Sequence, residues 1–63
     1  MAFDSTMITE LELADRWDVS RHTLRRWRAE RRGPIYVRLG GRHIRYLVSD
    51  VEAFELESRG VAA

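Results

Sequence analysis

Cysteine and lysine are both missing from this 63-residue chain. Without cysteine there is no disulfide framework, no thiolate nucleophile and no Cys-rich zinc site. Long apolar runs are missing too, whereas a membrane span needs about 20 apolar residues in a row. The N-terminal stretch MAFDSTMITE carries acid where a signal peptide carries base, and it has no apolar core segment. These absences together describe a soluble, cytoplasmic chain. Length sets further limits: 63 residues make one domain at most. Such a domain buries only about 60% of the surface its unfolded chain exposes, so its stability is marginal. It has no room for a cofactor domain, a substrate cleft and a hinge. At 44% hydrophobic and 33% charged, the composition still favours folding over disorder.

The formal net charge of +1 conceals a strong polarity. Residues 1–15 hold four acids, Asp4, Glu10, Glu12 and Asp15, and no base. Residues 16–45 hold ten arginines against Asp18 and Glu30. Residues 46–63 return to acid with Asp50, Glu52, Glu55 and Glu57 against Arg59. A basic middle between acidic ends points to nucleic acid or another anionic surface. An all-arginine set of bases has two readings: codon bias of the kind a GC-rich genome gives, and the fit of the planar guanidinium to phosphate and guanine edges.

Caps and periodicity divide the chain. Residues 1–7 read as a flexible arm. Thr9 with Glu12 forms a capping box, and Ile8 with Leu13 fits a hydrophobic staple, so a first helix is expected over 10–17. Leu13, Ala14 and Trp17 share its inner face. Asp18 follows at a position suited to left-handed backbone. After a tight Val19-Ser20 turn, Ser20 caps a second helix expected over 21–31, stopped by Gly33-Pro34. At 100° per residue, Leu24 and Trp27 point inward, while His22, Arg25, Arg26 and Ala29 point outward. Arg21, Arg28 and Arg32 flank them. Residues 35–46 alternate with period two around Gly40-Gly41, a two-residue hairpin turn. That turn sets Leu39 opposite Arg42, Val37 opposite Ile44 and Ile35 opposite Tyr46. One face is then Ile35, Val37, Ile44 and Tyr46; the other is Tyr36, Arg38, His43 and Arg45. A lone hairpin is unstable in water, so its apolar face must lie on the helices. Ser49 with Glu52 is a second capping box, opening a third helix that buries Val51 and Phe54, with Ala53 beside them and Leu56 off the stripe. Residues 59–63 read as a flexible tail.

Two helices joined by a short turn, the second one basic, make a helix-turn-helix, and the basic hairpin makes a wing. The run Ile8-Thr9, Leu13-Ala14, Trp17, Val19-Ser20, Thr23-Leu24 and Trp27 resembles the helix-turn-helix of small phage excisionases, also called recombination directionality factors. It resembles equally the AlpA-like regulators and the DNA-binding end of the MerR family. Residues 33–42, then Ile44-Arg45-Tyr46 and 49–54, resemble the family's wing and closing helix. Asp18 departs from the family, which often has Gly there; Asp tolerates the left-handed turn with slight strain. The resemblance implies a mainly α fold with a small β-hairpin: a winged helix-turn-helix over 8–58, in the order helix, helix, hairpin, helix. It places the DNA-reading positions on Ser20, Arg21, His22, Thr23, Arg25 and Arg26, and those of the wing on Arg38, Gly41, Arg42, His43 and Arg45.

Several of these residues have plainer roles open to them. Thr23 serves the helix cap, His22 stands as a solvent-exposed ring, and Arg45 pairs with Glu30 or Asp50. Trp17 and Trp27 belong to the core by their place on the apolar faces. Enzymatic readings fail on inventory. His22 and His43 lie on different elements without metal-ligand spacing, and Ser20 and Ser49 have no base placed to activate them. The resemblance implies a double-stranded DNA partner and a phage integrase of tyrosine or other type. The acidic ends and basic wing of the chain give an expectation of weak head-to-tail association on DNA, and the residue inventory an expectation of no cofactor, metal, small-molecule ligand or membrane. A stand-alone regulator of the AlpA kind is the nearest rival. A protein-binding adaptor docking through Glu52, Glu55 and Glu57 is a third.

Overall fold

The computed structural model describes residues 6–59. The elements run β1 (Met7–Thr9), α1 (Glu10–Trp17), α2 (Arg21–Ala29), β2 (Val37–Leu39), β3 (His43–Leu47) and α3 (Val48–Glu57). No helix among the described residues is long and apolar enough to cross a membrane.

The first two helices follow their caps. Thr9 N donates to Glu12 Oε1 at 2.7 Å and Glu12 N donates to Thr9 Oγ1 at 3.0 Å, the reciprocal bonds of a capping box. Ser20 Oγ accepts from Thr23 N at 3.0 Å and starts α2. Both helices end in the same motif. Asp18 takes a φ of 55°, with Asp18 N bonded to Asp15 O and Val19 N to Ala14 O. Arg31 takes a φ of 59°, with Arg31 N bonded to Arg28 O and Arg32 N to Trp27 O. Each is a Schellman arrangement, which needs one left-handed residue just past the helix. Arg31 supplies it in α2, so the helix stops at Ala29, ahead of the expected Arg31 and of the Gly33-Pro34 stop.

Three strands form an antiparallel sheet in the order β1-β3-β2. The edge strand β1 is a correction to the N-terminal arm: Met7 pairs with Leu47 and Ile8 with Tyr46. The backbone of Thr6 belongs to the ordered fold as well, since its carbonyl accepts from Val48 N at 2.9 Å. Residues 1–5 of the expected arm and 60–63 of the expected tail lie outside the described residues.

The hairpin register also differs from expectation. Val37 pairs with Arg45, Arg38 with Ile44 and Leu39 with His43. The connection is therefore three residues, Gly40, Gly41 and Arg42, with both glycines at positive φ. One extra loop residue reverses which residues of β2 share a face with those of β3. Ile35 ends 70% exposed, while Tyr36 packs on the core. The slip sets the Tyr36 ring 6.4 Å from that of Tyr46 and beneath the Arg28 guanidinium at 5.6 Å. That aromatic contact exceeds what Ile35 offers in the other register.

The third helix begins one residue before Ser49, and no side chain caps it. β3 runs directly into α3, and the Thr6 carbonyl takes the N–H of Val48, so the expected Ser49–Glu52 box is not used. Leu13, Ala14, Leu24, Tyr46 and Val51 form the buried core, with Ile8, Trp17, Val19, Trp27, Tyr36 and Ile44 packed around it. Trp17, Trp27 and Phe54 stack in tilted contacts of 5.5–6.5 Å that tie α1, α2 and α3 together. Both tryptophans are thus half-buried packing residues against the core, on the inner faces their helical positions give them.

Candidate nucleic-acid interface

A cleft of about 470 Å³ runs between the start of α1, one side of α2 and the wing. Arg21, Arg25 and Arg28 line it from α2; Arg42, His43 and Arg45 line it from the wing. Five of the expected DNA-reading residues therefore converge: Arg21, Arg25, Arg42, His43 and Arg45. This convergence follows from the fold. The Ser20 cap fixes where α2 begins, and the core contact of Leu24 turns residues 21 and 25 toward the sheet. Pairing of β3 with β1 then holds the wing beside α1.

The other expected residues lie elsewhere. Ser20 and Thr23 hydroxyls bond each other at 3.0 Å and serve the cap. His22 and Arg26 are exposed on the outer side of α2 and do not line the cleft. Gly41 sits in the wing loop at a φ of 80°. Arg38 shares a face of the hairpin with Ile44, not with His43 and Arg45, and its guanidinium lies 5.8 Å from the Tyr36 ring. The single basic wing face expected from the sequence is therefore split between two sides. Arg45 does not take up its plainer alternative, a pair with Glu30 or Asp50. It donates to the Ile44 carbonyl at 2.8 Å, while Glu30 accepts from Arg32 at 3.0 Å.

Two residues missing from the expected set form the floor of the cleft. Glu10 is only 8% exposed and faces three arginines of α2. Arg28 Nη1 donates to Glu10 Oε2 and, at 3.1 Å, to Tyr46 Oη. Arg21 Nε and Arg25 Nε stand 3.5 and 3.4 Å from Glu10 Oε1. Burial alone pushes the Glu10 carboxyl up, but the Arg28 hydrogen bond and the charges of Arg28 and Arg25 outweigh it and hold the group below its ordinary range. Burial likewise works to lower Arg28, and its bonds to Glu10 and Tyr46 reverse that and raise it. One signal in the sequence marks this arrangement: Arg21, Arg25 and Arg28 repeat at helical spacing on one stripe, and such a stripe near a buried surface requires an acid.

Away from the cleft, Arg16 clamps Glu55 through two bonds of 2.7 and 2.8 Å, and Trp17 Nε1 donates to the same carboxylate. Glu55 is thereby spent within the fold, unlike its neighbours Glu52 and Glu57, which are exposed.

A cationic cleft bounded by the second helix of a helix-turn-helix on one side and a hairpin wing on the other is suited to straddling a phosphate backbone while the helix enters a groove. No curated protein and no solved structure matches the chain. A family model described as a helix-turn-helix domain matches residues 9–59, which span α1 through α3 together with the wing. On that match, and with its basic second helix and wing in place, the chain belongs to the DNA-binding helix-turn-helix domain family.

Proposed function

We propose that the protein is an architectural DNA-binding factor of the excisionase type. In this role it reads short duplex sites in an attachment region with α2 and the wing, and curves the DNA. The bent complex steers a phage integrase, tyrosine-type or other, toward excision and away from integration. The observation that supports this reading best is the arginine-lined cleft between α2 and β3, where Arg21, Arg25, Arg42 and Arg45 face a common space. With α2 in the major groove, the wing tip at Arg42 lies over the adjacent minor groove. A cationic wing there favours narrowing and curvature. The recombination role itself rests on the likeness to small phage excisionases carried by the first two helices and the wing.

Nuclease footprinting on attachment-region DNA, with integrase present and absent, tests both halves. The expected result is a set of protected sites beside the integrase sites, together with an excision product that requires this protein. Protected sites without any effect on recombination would replace the proposal with a stand-alone regulator.

A further inference from the structure

Glu10 is the first residue of α1 and touches the recognition helix at three places a turn apart. The three contacts are not equivalent. Arg28 is nearly covered, its side chain 16% exposed, and its guanidinium is committed to Glu10 and Tyr46. Arg21 and Arg25 are about half exposed, at 51% and 56%, and come nearest to Glu10 through Nε, at 3.5 and 3.4 Å. An arginine whose Nε edge faces a carboxylate keeps its end-on edge, with a hydrogen from each terminal nitrogen, open for a second bidentate contact.

We propose that Glu10 is a positioning residue that sets the specificity of the DNA contact. Its carboxylate competes with phosphate for Arg21 and Arg25 and presents both in one orientation to base edges. The proposal rests on the DNA-binding reading above. Its physical basis is that the two kinds of contact respond differently to a carboxylate placed behind the arginine. Attraction to phosphate is a charge effect, shared by every sequence, and a nearby anion weakens it everywhere. A bidentate contact to guanine depends on the direction of the fork, which the same anion improves. A site that lowers the first and keeps the second gains discrimination at the expense of raw affinity.

The test is Glu10→Gln, which keeps shape and removes charge. Binding is measured against the best duplex selected from a random pool by the wild-type protein and against a scrambled duplex of the same composition, across a salt series. Expected for the variant is a scrambled-duplex affinity raised by about three- to tenfold, a salt slope steeper by about 0.9, and a smaller selected-to-scrambled ratio. An unchanged ratio with an unchanged slope overturns the proposal, as does equal weakening on both duplexes, which is what a scaffold residue gives. Should Glu10→Gln lose its fold, Glu10→Asp keeps the charge and withdraws the carboxylate by one methylene. It should keep the wild-type slope and lose part of the ratio, and a full ratio would overturn the proposal. A wild-type protein with neither salt slope nor preference for any duplex removes the DNA-binding reading itself, an outcome distinct from these.

Discussion

Two residues, Asp18 and Arg31, hold the left-handed backbone that a Schellman helix end requires, without being glycine. Such a conformation costs an L residue about 1–2 kcal/mol. Glycine removes that cost and adds back about 0.5–1 kcal/mol of backbone entropy in the unfolded chain. Arg31→Gly should therefore stabilise the domain by about 0.5–1 kcal/mol, read as a higher urea midpoint at unchanged slope. Asp18→Gly should gain less, because aspartate tolerates this region. A midpoint for Arg31→Gly at or below wild type would mean that the arginine side chain contributes contacts worth its strain. Glu55 supports a second prediction at this scale. Hydrogen bonds from Arg16 first and Trp17 next pull its carboxyl down from 4.5 to about 2. With the folded value below the unfolded one, the contact is fully present above about pH 4.5 and is lost as pH falls through about 2. The wild-type Tm should fall more steeply across that window than the Tm of Glu55→Gln. Parallel curves would show that the exposed bridge to Arg16 adds nothing measurable.

Among the elements, β1 changes the account of the N-terminus most. It covers the edge of β3 opposite β2, and the Thr6 carbonyl satisfies the first N–H of α3. Deleting residues 1–7 should cost about 1–3 kcal/mol, since it leaves that N–H without its protein partner and removes part of a strand. Chemical denaturation of the truncated chain provides the check, and an unchanged midpoint would return these residues to the role of an arm. Three residues of strand carry no legible alternation, which is why β1 cannot be read from Met7, Ile8 and Thr9. The helices are legible because their signals are local: Thr9 with Glu12, and Ser20 with Thr23, act within one turn. Hairpin register is not local in that sense. Gly40-Gly41 announces a turn but not whether Arg42 joins the loop, and that one residue decides whether Ile35 or Tyr36 faces the core. The arginines of the cleft are only partly legible from the sequence: the wheel groups Arg25 with His22 and Arg26 and leaves Arg28 as a flank, whereas Arg21, Arg25 and Arg28 line the cleft together. Glu10 is not legible, because an acid in the first turn of a helix is already accounted for by the helix dipole.

For the molecule as a whole, charge and size bear on how the proposed function is carried out. A module with one recognition helix and one wing buries about 600–1,000 Å² against DNA, which limits what a single copy contributes to specific affinity. Part of the cationic charge in this cleft is also neutralised from within by Glu10. Tight occupancy of an attachment region then calls for several copies on neighbouring sites. The surface offers a contact for this. Arg42 is exposed at the wing tip, while Glu52 and Glu57 are exposed on α3, which does not line the cleft. Glu55 is excluded from this surface because Arg16 and Trp17 already hold it. A wing of one copy meeting α3 of the next is a head-to-tail contact, which repeats along a duplex and does not close into a dimer. On the proposed role, each added copy would place another wing in a minor groove and so add curvature. Titration onto a single site and onto a tandem array should therefore show tighter binding per site on the array, and circular-permutation mobility should show bending that grows with copy number. Exchanging Glu52 and Glu57 for glutamine should abolish the difference between array and single site while leaving single-site affinity near wild type. Equal affinity per site in both duplexes, on DNA that stays straight, would remove the architectural role and leave a simple regulator.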